Sequence, residues 1–251
     1  MKPIAPIETE ILLQSEFNNV TAAVLAGGFG TRLRSVVADV PKVLAPVGGR
    51  PFLAYLLERL ERAGVLDTVL LVGYKADLVQ EAFGERFGAM RLAYSNETEP
   101  LGTAGAIRLA LPKLGNETVL MMNGDSFCEV DFHAFLSAHR GHSGGATITL
   151  THVENASRFG RVQVDGSERV VRFEEKNPVP APGWINAGIY LLQRTLIAGI
   201  PLGKALSIER DVFPDWVAKE RVSGFRGGGR FIDIGVPESY GAAEAFFGTR
   251  G

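Results

Sequence analysis

The segment Leu25-Ala-Gly-Gly-Phe-Gly-Thr-Arg-Leu33 places three glycines and an arginine directly after an apolar run. Glycines at this density let backbone N–H groups approach a phosphate closely, and a helical turn following them would add the positive end of its dipole. Two familiar phosphate loops are excluded. A dinucleotide fingerprint starting at Gly28 requires glycine at position 33, which is Leu33, and a Walker loop requires Gly-Lys-Ser/Thr, which is absent. Arg32 and, further on, Lys42 of Pro41-Lys42 give the loop a cation at each end. From Gly27 to Arg50 four basic residues (32, 34, 42 and 50) face one acid, Asp39, a local charge of +3. Two unit anions held ~5 Å apart repel by roughly 3 kcal/mol at an effective dielectric of 20. Clustered cations therefore suit chemistry between two phosphorylated anions. Asp125, after the apolar TVLMMNG, and Asp233, in Phe-Ile-Asp-Ile-Gly, are carboxylates at strand ends, the hard oxygen donors that suit Mg²⁺. Their separation in sequence leaves open whether they meet.

Positioning these residues requires a scaffold of strands and helices. Thr21 to Ala26 is a short apolar run stopped by Gly27-Gly28, the pattern of a buried parallel strand entering a glycine loop. A helix is predicted from Pro51 through FLAYLLERLERA, with positions 52, 53, 56, 57 and 60 on one face and Gly64 ending it. Strands at Asp67–Val72, Arg91–Tyr94 and Thr118–Met122 alternate with helices at Lys75–Phe83 and Thr103–Leu111, which implies a parallel sheet with helices on both faces. The second half changes character. Ala146–His152, Arg161–Asp165, Val170–Glu174 and Ile185–Leu192 read as successive strands, with turns at Asp165-Gly166 and Pro178–Gly183. They either extend the same sheet or form a small lid, and a helix at Pro237–Phe247 closes the pattern. Residues 1–20 read as an extension to a single domain of residues 21–251.

Composition narrows the function classes. The 251 residues carry 26 Lys and Arg against 28 Asp and Glu, a net charge of −2 with pI near 6.1. This excludes the overall basic footprint of a nucleic-acid or anionic-membrane binder. The single cysteine, Cys128, has no internal disulfide partner and reads as a small buried hydrophobe. His139-x-x-His142 reads as a solvated helix end rather than a metal site. Glu8 and Glu10 interrupt any signal-peptide core, and no run of 18 apolar residues exists, so the expected compartment is the cytoplasm. Oligomeric state, homo-oligomers included, is open.

The residues LAGGFGTRL…PKVLAPVGGRPFL resemble the signature of the sugar-1-phosphate nucleotidyltransferases, which join a nucleoside triphosphate to a sugar 1-phosphate and release pyrophosphate. The resemblance continues through Pro100-Leu-Gly-Thr-Ala-Gly-Ala106, Asn-Gly-Asp-Ser126, Phe173-Glu-Glu-Lys176, Trp184-Ile-Asn-Ala-Gly-Ile-Tyr190 and Phe231-Ile-Asp-Ile-Gly-Val-Pro-Glu238, covering about residues 21 to 247. It implies a Rossmann-like, glycosyltransferase-A-like α/β fold. A mixed, mostly parallel sheet is flanked by helices, with a small strand-rich sugar-binding lid, a nucleotide-binding part at about 21–130 and a sugar-binding part at about 131–251. It also implies that Leu25, Ala26, Gly27, Gly28, Gly30, Thr31, Gly102 and Thr103 wrap the nucleotide. Arg32 would contact the leaving pyrophosphate and Lys42 the phosphate under attack, with Asp125 and Asp233 holding Mg²⁺. Asn123, Gly160, Glu175, Lys176 and Asn186 would hold the sugar. The reaction is then in-line attack of a phosphate oxygen, already ionised at pH 7, so no strong general base is required.

Glu97 stands where uridylyl- and thymidylyltransferases of this family typically place a glutamine. A carboxylate only accepts hydrogen bonds, and guanine offers adjacent N1–H and N2–H₂ donors, whereas uracil or thymine would present a carbonyl. The expected nucleotide is GTP, and the NGDS and FIDIG-x-PE wording resembles the compact D-glycero-α-D-manno-heptose 1-phosphate guanylyltransferases. A mannose-1-phosphate guanylyltransferase and a uridylyl-, thymidylyl- or cytidylyltransferase for another hexose 1-phosphate are the alternatives. A non-catalytic nucleotide-sugar-binding module would be expected to lose Arg32, Lys42, Asp125 or Asp233, and all four are present.

Overall fold

The computed structural model describes residues 16–28, 30, 32–33, 36–37, 40–174 and 179–248. Strand β1 (Val20–Leu25) is followed by the glycine loop and by the short antiparallel pair β2 (Pro46–Val47) and β3 (Arg50–Pro51). Then come α1 (Phe52–Arg62), β4 (Asp67–Val72), α2 (Ala76–Phe83), β5 (Arg86–Phe87), β6 (Met90–Asn96), α3 (Gly102–Ala110), β7 (Thr118–Asn123), β8 (Ser126–Cys128) and α4 (Phe132–Gly141). The second half contains β9 (Ala146–Val153), β10 (Arg161–Val164), β11 (Val170–Glu174), β12 (Gly183–Gln193), α5 (Arg194–Ala198), a π-helical turn (Ile208–Val212), α6 (Phe213–Ala218), β13 (Val222–Gly228), β14 (Phe231–Asp233), α7 (Pro237–Gly241) and α8 (Ala243–Gly248).

Ten strands form one sheet in the order β11-β10-β12-β7-β1-β4-β6-β5, with β9 pairing β12 and β13. Strands β7, β1, β4 and β6 are parallel neighbours, whereas β12 runs antiparallel to β7, β9 and β10. The second-half strands thus extend the first sheet, and the β10–β11 hairpin projects at its far edge. The alternating side chains of β1 feed two cores. Val20, Ala22 and Val24 pack with Phe52, Leu53, Leu56, Leu57 and Leu60 of α1, and Ala23 packs on the other face with Ile107 of α3. Both faces are covered, which is why β1 reads as a continuous apolar run.

Two expectations change. The described part of the glycine loop makes hydrogen-bonded turns (Leu33 N–H to Gly30 O, Val37 N–H to Leu33 O), and the rest of the helical turn expected there lies outside the described residues. The closing helix is two short helices, α7 and α8, because the chain breaks at Ala242, just after Gly241 at the end of α7. His139 is buried, not solvated: its Nδ1 lies 2.9 Å from Thr147 Oγ1, and burial pushes its pKa down to about 4. Cys128 is fully buried, and desolvation raises its thiol pKa to about 11.

Candidate active site

The carboxyl ends of the parallel strands, where open α/β sheets bind ligands, open into a cavity of about 280 Å³. Leu25, Gly27 and Gly28 form its floor, Gly102 and Thr103 at the start of α3 one wall, and Asn123, Gly124 and Asp125 the other, with Lys42 and Glu97 at its rim. Gly102 has φ +66°, and a β-carbon there would lie 2.5 Å from Leu206 O, so the chain can turn into α3 at this point only through glycine. A β-carbon on Gly27 would lie 2.8 Å from Glu97 Oε1. The absence of a side chain there is what lets the acid lie across the loop.

Glu97 follows β6. Its Oε2 accepts the Leu101 N–H at 3.1 Å, and desolvation raises its pKa above the usual carboxylate range despite that bond. A half-buried carboxylate with acceptor capacity left beside a cavity is a directional recognition element. Thr103 also lines the cavity, but its hydroxyl is committed: it accepts the Ile208 N–H at 2.7 Å and donates to Glu209 Oε2 at 3.2 Å. Ala26 is buried, with its N–H on Leu71 O, and Gly30, at φ +57°, lies against Lys42.

A second cavity of about 300 Å³ adjoins the first and shares Asn123 and Asp125 with it. Arg32, Arg158, Phe159, Asn186 and Asp233 are among its other lining residues. What brings Asp125 and Asp233 together is the two-stranded pair β8–β14: Asp233 is in register with Ser126, and Ile234 N–H donates to Asp125 O at 2.9 Å. Strand β8 is itself fastened by Arg59 of α1. That guanidinium donates to Cys128 O and to Val130 O and lies over the rings of Phe127 and Phe132.

Five charged groups converge here. Lys42 Nζ donates to Asp125 Oδ2 at 2.6 Å, and Arg158 Nη2 to Asp233 Oδ2 at 3.1 Å. Around Gly235, a β-carbon would meet Asp233 Oδ1 at 2.5 Å, Lys42 Nζ at 3.4 Å and Arg32 Nη2 at 3.7 Å, so both predicted cations and the second carboxylate crowd one point. The Asp125 side chain keeps 45% of its exposure and Asp233 18%, so both remain reachable from the cavity. Two reachable carboxylates on one wall fit an ion such as Mg²⁺, which takes one or two protein carboxylates and fills its remaining positions with water and phosphate oxygens. Among the described residues no group of three or more His, Cys, Asp or Glu is arranged for a metal, so an all-protein cage does not form there.

The predicted sugar-side residues are only partly described. Asn186 lines the second cavity, while Gly160 follows Phe159, and a β-carbon there would lie 2.9 Å from Glu174 O. Glu174 is engaged by Arg161 within the hairpin, and Thr31, Glu175 and Lys176 lie outside the described residues. Sequence reasoning missed Arg158, a single cation in an ordinary polar loop whose only signal was its place before Phe159-Gly160. It also missed Tyr190 and Glu209, which hold Asn186 and Thr103 from behind.

The chain belongs to the nucleotidyl transferase family, whose sequence profile matches residues 21–250. Nucleotidyltransferases of this family generally use a divalent metal. The chain is 35% identical over 223 residues to the D-glycero-alpha-D-manno-heptose 1-phosphate guanylyltransferase of Aneurinibacillus thermoaerophilus, covering 89% of this chain and 96% of that one. It is 37% identical over 226 residues to the mannose-1-phosphate guanylyltransferase of Mycobacterium tuberculosis, covering 89% of this chain but 63% of that longer protein. The crystal structure of HddC from Yersinia pseudotuberculosis, complexed with GMP-PN, superposes with a TM-score of 0.79 at 33% identity, over 90% of this chain and 99% of that one. No helix among the described residues is long and apolar enough to cross a membrane.

Proposed function

We propose that this protein joins GTP to a sugar 1-phosphate, D-glycero-α-D-manno-heptose 1-phosphate in the first instance, giving a GDP-sugar and pyrophosphate. The observation that carries this reading is the pair of adjoining cavities sharing Asn123 and Asp125 at a cluster of two carboxylates and three cations. One cavity has the glycine floor and acceptor rim suited to a purine nucleotide, and the other has the polar walls suited to a sugar phosphate. The named relatives support the same substrates.

In this reading the guanine N1–H and N2–H₂ donate to Glu97, whose desolvated charge strengthens both bonds. The N–H groups of Gly27 and Gly28 approach the phosphates. Lys42 turns from Asp125 to the phosphate under attack, and Arg32 holds the departing pyrophosphate. A divalent ion held by Asp125 and Asp233 would neutralise phosphate charge and align the reactants. The attacking oxygen of the sugar 1-phosphate is already an anion, so the chain's task is to position it in line and offset repulsion. Mannose 1-phosphate is the second substrate to test, since the mannose enzymes are as similar in sequence. Heptose enzymes from two organisms are matched at 35% and 37% identity, and heptose 1-phosphate is tested first. Pyrophosphate release, measured for each nucleoside triphosphate against mannose, glucose, N-acetylglucosamine and heptose 1-phosphates with and without Mg²⁺, tests the proposal. Release with GTP and a manno-configured sugar is expected, and none with any pair would end it.

A further inference from the structure

Two cation–carboxylate pairs meet where the cavities adjoin, and they are built differently. Lys42 is sheltered, its side chain keeping 9% of its exposure, and its Nζ donates to one oxygen of Asp125 at 2.6 Å. The Arg158 side chain keeps 46%, and a single nitrogen, Nη2, straddles both oxygens of Asp233 at 3.1 and 3.3 Å. This is not the fork in which each guanidinium nitrogen takes an oxygen of its own. Among the described residues Nε and Nη1 of Arg158 have no hydrogen-bond partner. A partly exposed pair of this geometry is weak, worth about a few-fold in an equilibrium constant.

Asp233 keeps its orientation without the arginine, because its Oδ1 accepts the Gly235 N–H at 2.8 Å. Arg158, in turn, can change partner without moving its backbone. Its turn is closed by the Ser157 N–H on Asn155 Oδ1 at 3.0 Å and by the Phe159 N–H on Ala156 O at 2.9 Å. The Phe159 ring stands edge-on to Phe231 of β14, with centroids 5.5 Å apart. Anchored to the strand that carries Asp233, the turn keeps the guanidinium at the wall of the second cavity whichever group it faces. A phosphate monoester in that cavity would be a better partner than Asp233, with up to two charges and oxygens spaced for the fork. The guanidinium and a divalent ion compete for the same Asp233 oxygens, so whatever draws Arg158 away makes that carboxylate a stronger ligand.

We propose that Arg158 is exchanged between Asp233 and the phosphate of the bound sugar 1-phosphate, so that taking up the sugar phosphate frees Asp233 for the divalent ion and the two bind cooperatively. This rests on the sugar-1-phosphate reading of the second cavity. The coupling is reciprocal, so it can be read from either ligand.

The first measurement needs no metal. α-D-Mannose 1-phosphate is titrated calorimetrically, in EDTA, into wild type, Asp233→Asn, Arg158→Met and the double variant. Asp233→Asn should tighten binding in both backgrounds by removing a negative charge, but about 2- to 5-fold more when Arg158 is present, because only then does it also release a guanidinium. An arginine that stays on Asp233 gives the opposite order, since it already neutralises the carboxylate, and an equal or reversed coupling would overturn the proposal. The second measurement is Mn²⁺ binding by electron spin resonance, with and without mannose 1-phosphate. Arg158→Met should bind Mn²⁺ about 2- to 5-fold more tightly than wild type without the sugar phosphate, and gain less from adding it. Arg62→Met, at the end of α1 that leads to the start of β4, makes the same change in net charge away from the site and should leave Mn²⁺ affinity unchanged. The same Mn²⁺ affinity in wild type and Arg158→Met, or no bound Mn²⁺ in either, would also overturn the exchange. Melting temperatures check folding, and the Mn²⁺ arm decides alone if Asp233→Asn does not fold. Failure of the reading beneath it looks different: no heat from mannose 1-phosphate in any protein ends the sugar-phosphate reading and the exchange together, whereas binding without coupling ends only the exchange.

Discussion

The parallel and antiparallel parts of the sheet hold their ends of the site by different means. On the parallel side, β1, β4 and β6 end in Gly27, Gly28, Gly73 and the turn into Gly102, so much of the cavity wall is backbone, with the charged side chains of Glu97, Lys42 and Asp125 among its lining residues. On the antiparallel side the lining is made of side chains: Arg158, Asn186 and Asp233, with Tyr190 and Glu209 behind them. A nucleotide's phosphates are the same whatever the base, and a backbone cradle suffices for them. A sugar presents hydroxyls that differ only in direction, and distinguishing them requires side chains held in fixed orientations. Asp125 follows β7 of the parallel part and Asp233 stands on β14, in the separate pair with β8, so the charged groups gather at the seam where that pair meets the sheet.

Substitutions at the seam should break both parts at once. Asp125→Asn and Asp233→Asn are each expected to lower kcat by about 10³-fold or more with an unchanged circular dichroism spectrum. Full activity in either removes that residue from the metal-binding set. On the parallel side, Glu97→Gln should lower the GTP:UTP preference in kcat/KM by roughly 10- to 200-fold, the value of a two-bond base match. Because burial holds the Glu97 pKa above the usual carboxylate range, the KM for GTP should also rise on mild acidification, before ordinary surface carboxylates titrate. The glutamine variant should lose that pH dependence. On the antiparallel side, Arg158→Met should raise the KM for the sugar 1-phosphate about 5- to 10-fold, as expected for losing one partly exposed charge contact, and leave that for GTP unchanged. If both KM values move together, the two parts are not separable in this way.

The smallest effect on activity is expected from His139, which lies in neither part. Its folded pKa of about 4 lies below the ordinary value of 6.5, so the unfolded chain binds more protons between these values. Stability is therefore complete above about pH 6.5 and falls by about 1 kcal/mol per pH unit from there down to pH 4. Urea unfolding of His139→Gln across this range should show a flatter slope, with activity at neutral pH unaffected.

The parallel part was largely legible in the sequence because its signals are local. The apolar run of β1 abuts the glycines it feeds, and the stripe of α1 at 52, 53, 56, 57 and 60 is buried as its spacing implies. The seam was not legible. Strands β8 and β14 have three residues each, too few to show a period, and nothing local in either announces its partner. Arg158 acquires meaning only when the hairpin loop comes beside Asp233. His139 did carry a signal: it follows Phe135 and Leu136 at the four- and three-residue spacing of the buried face of α4, and that spacing outweighs the polarity of an imidazole.

On the proposed assignment of Asp233, the pairing of β8 with β14 also sets when the enzyme can first become active during its own synthesis. Strand β14 follows every strand of the main sheet in the chain, so the residues that line the glycine cradle are all synthesised before Asp233. A chain arrested between these strands would carry a nucleotide cavity and a lone carboxylate at Asp125 with its Lys42 partner. It would lack Asp233, so on the proposed assignment turnover waits for the last strand of the chain.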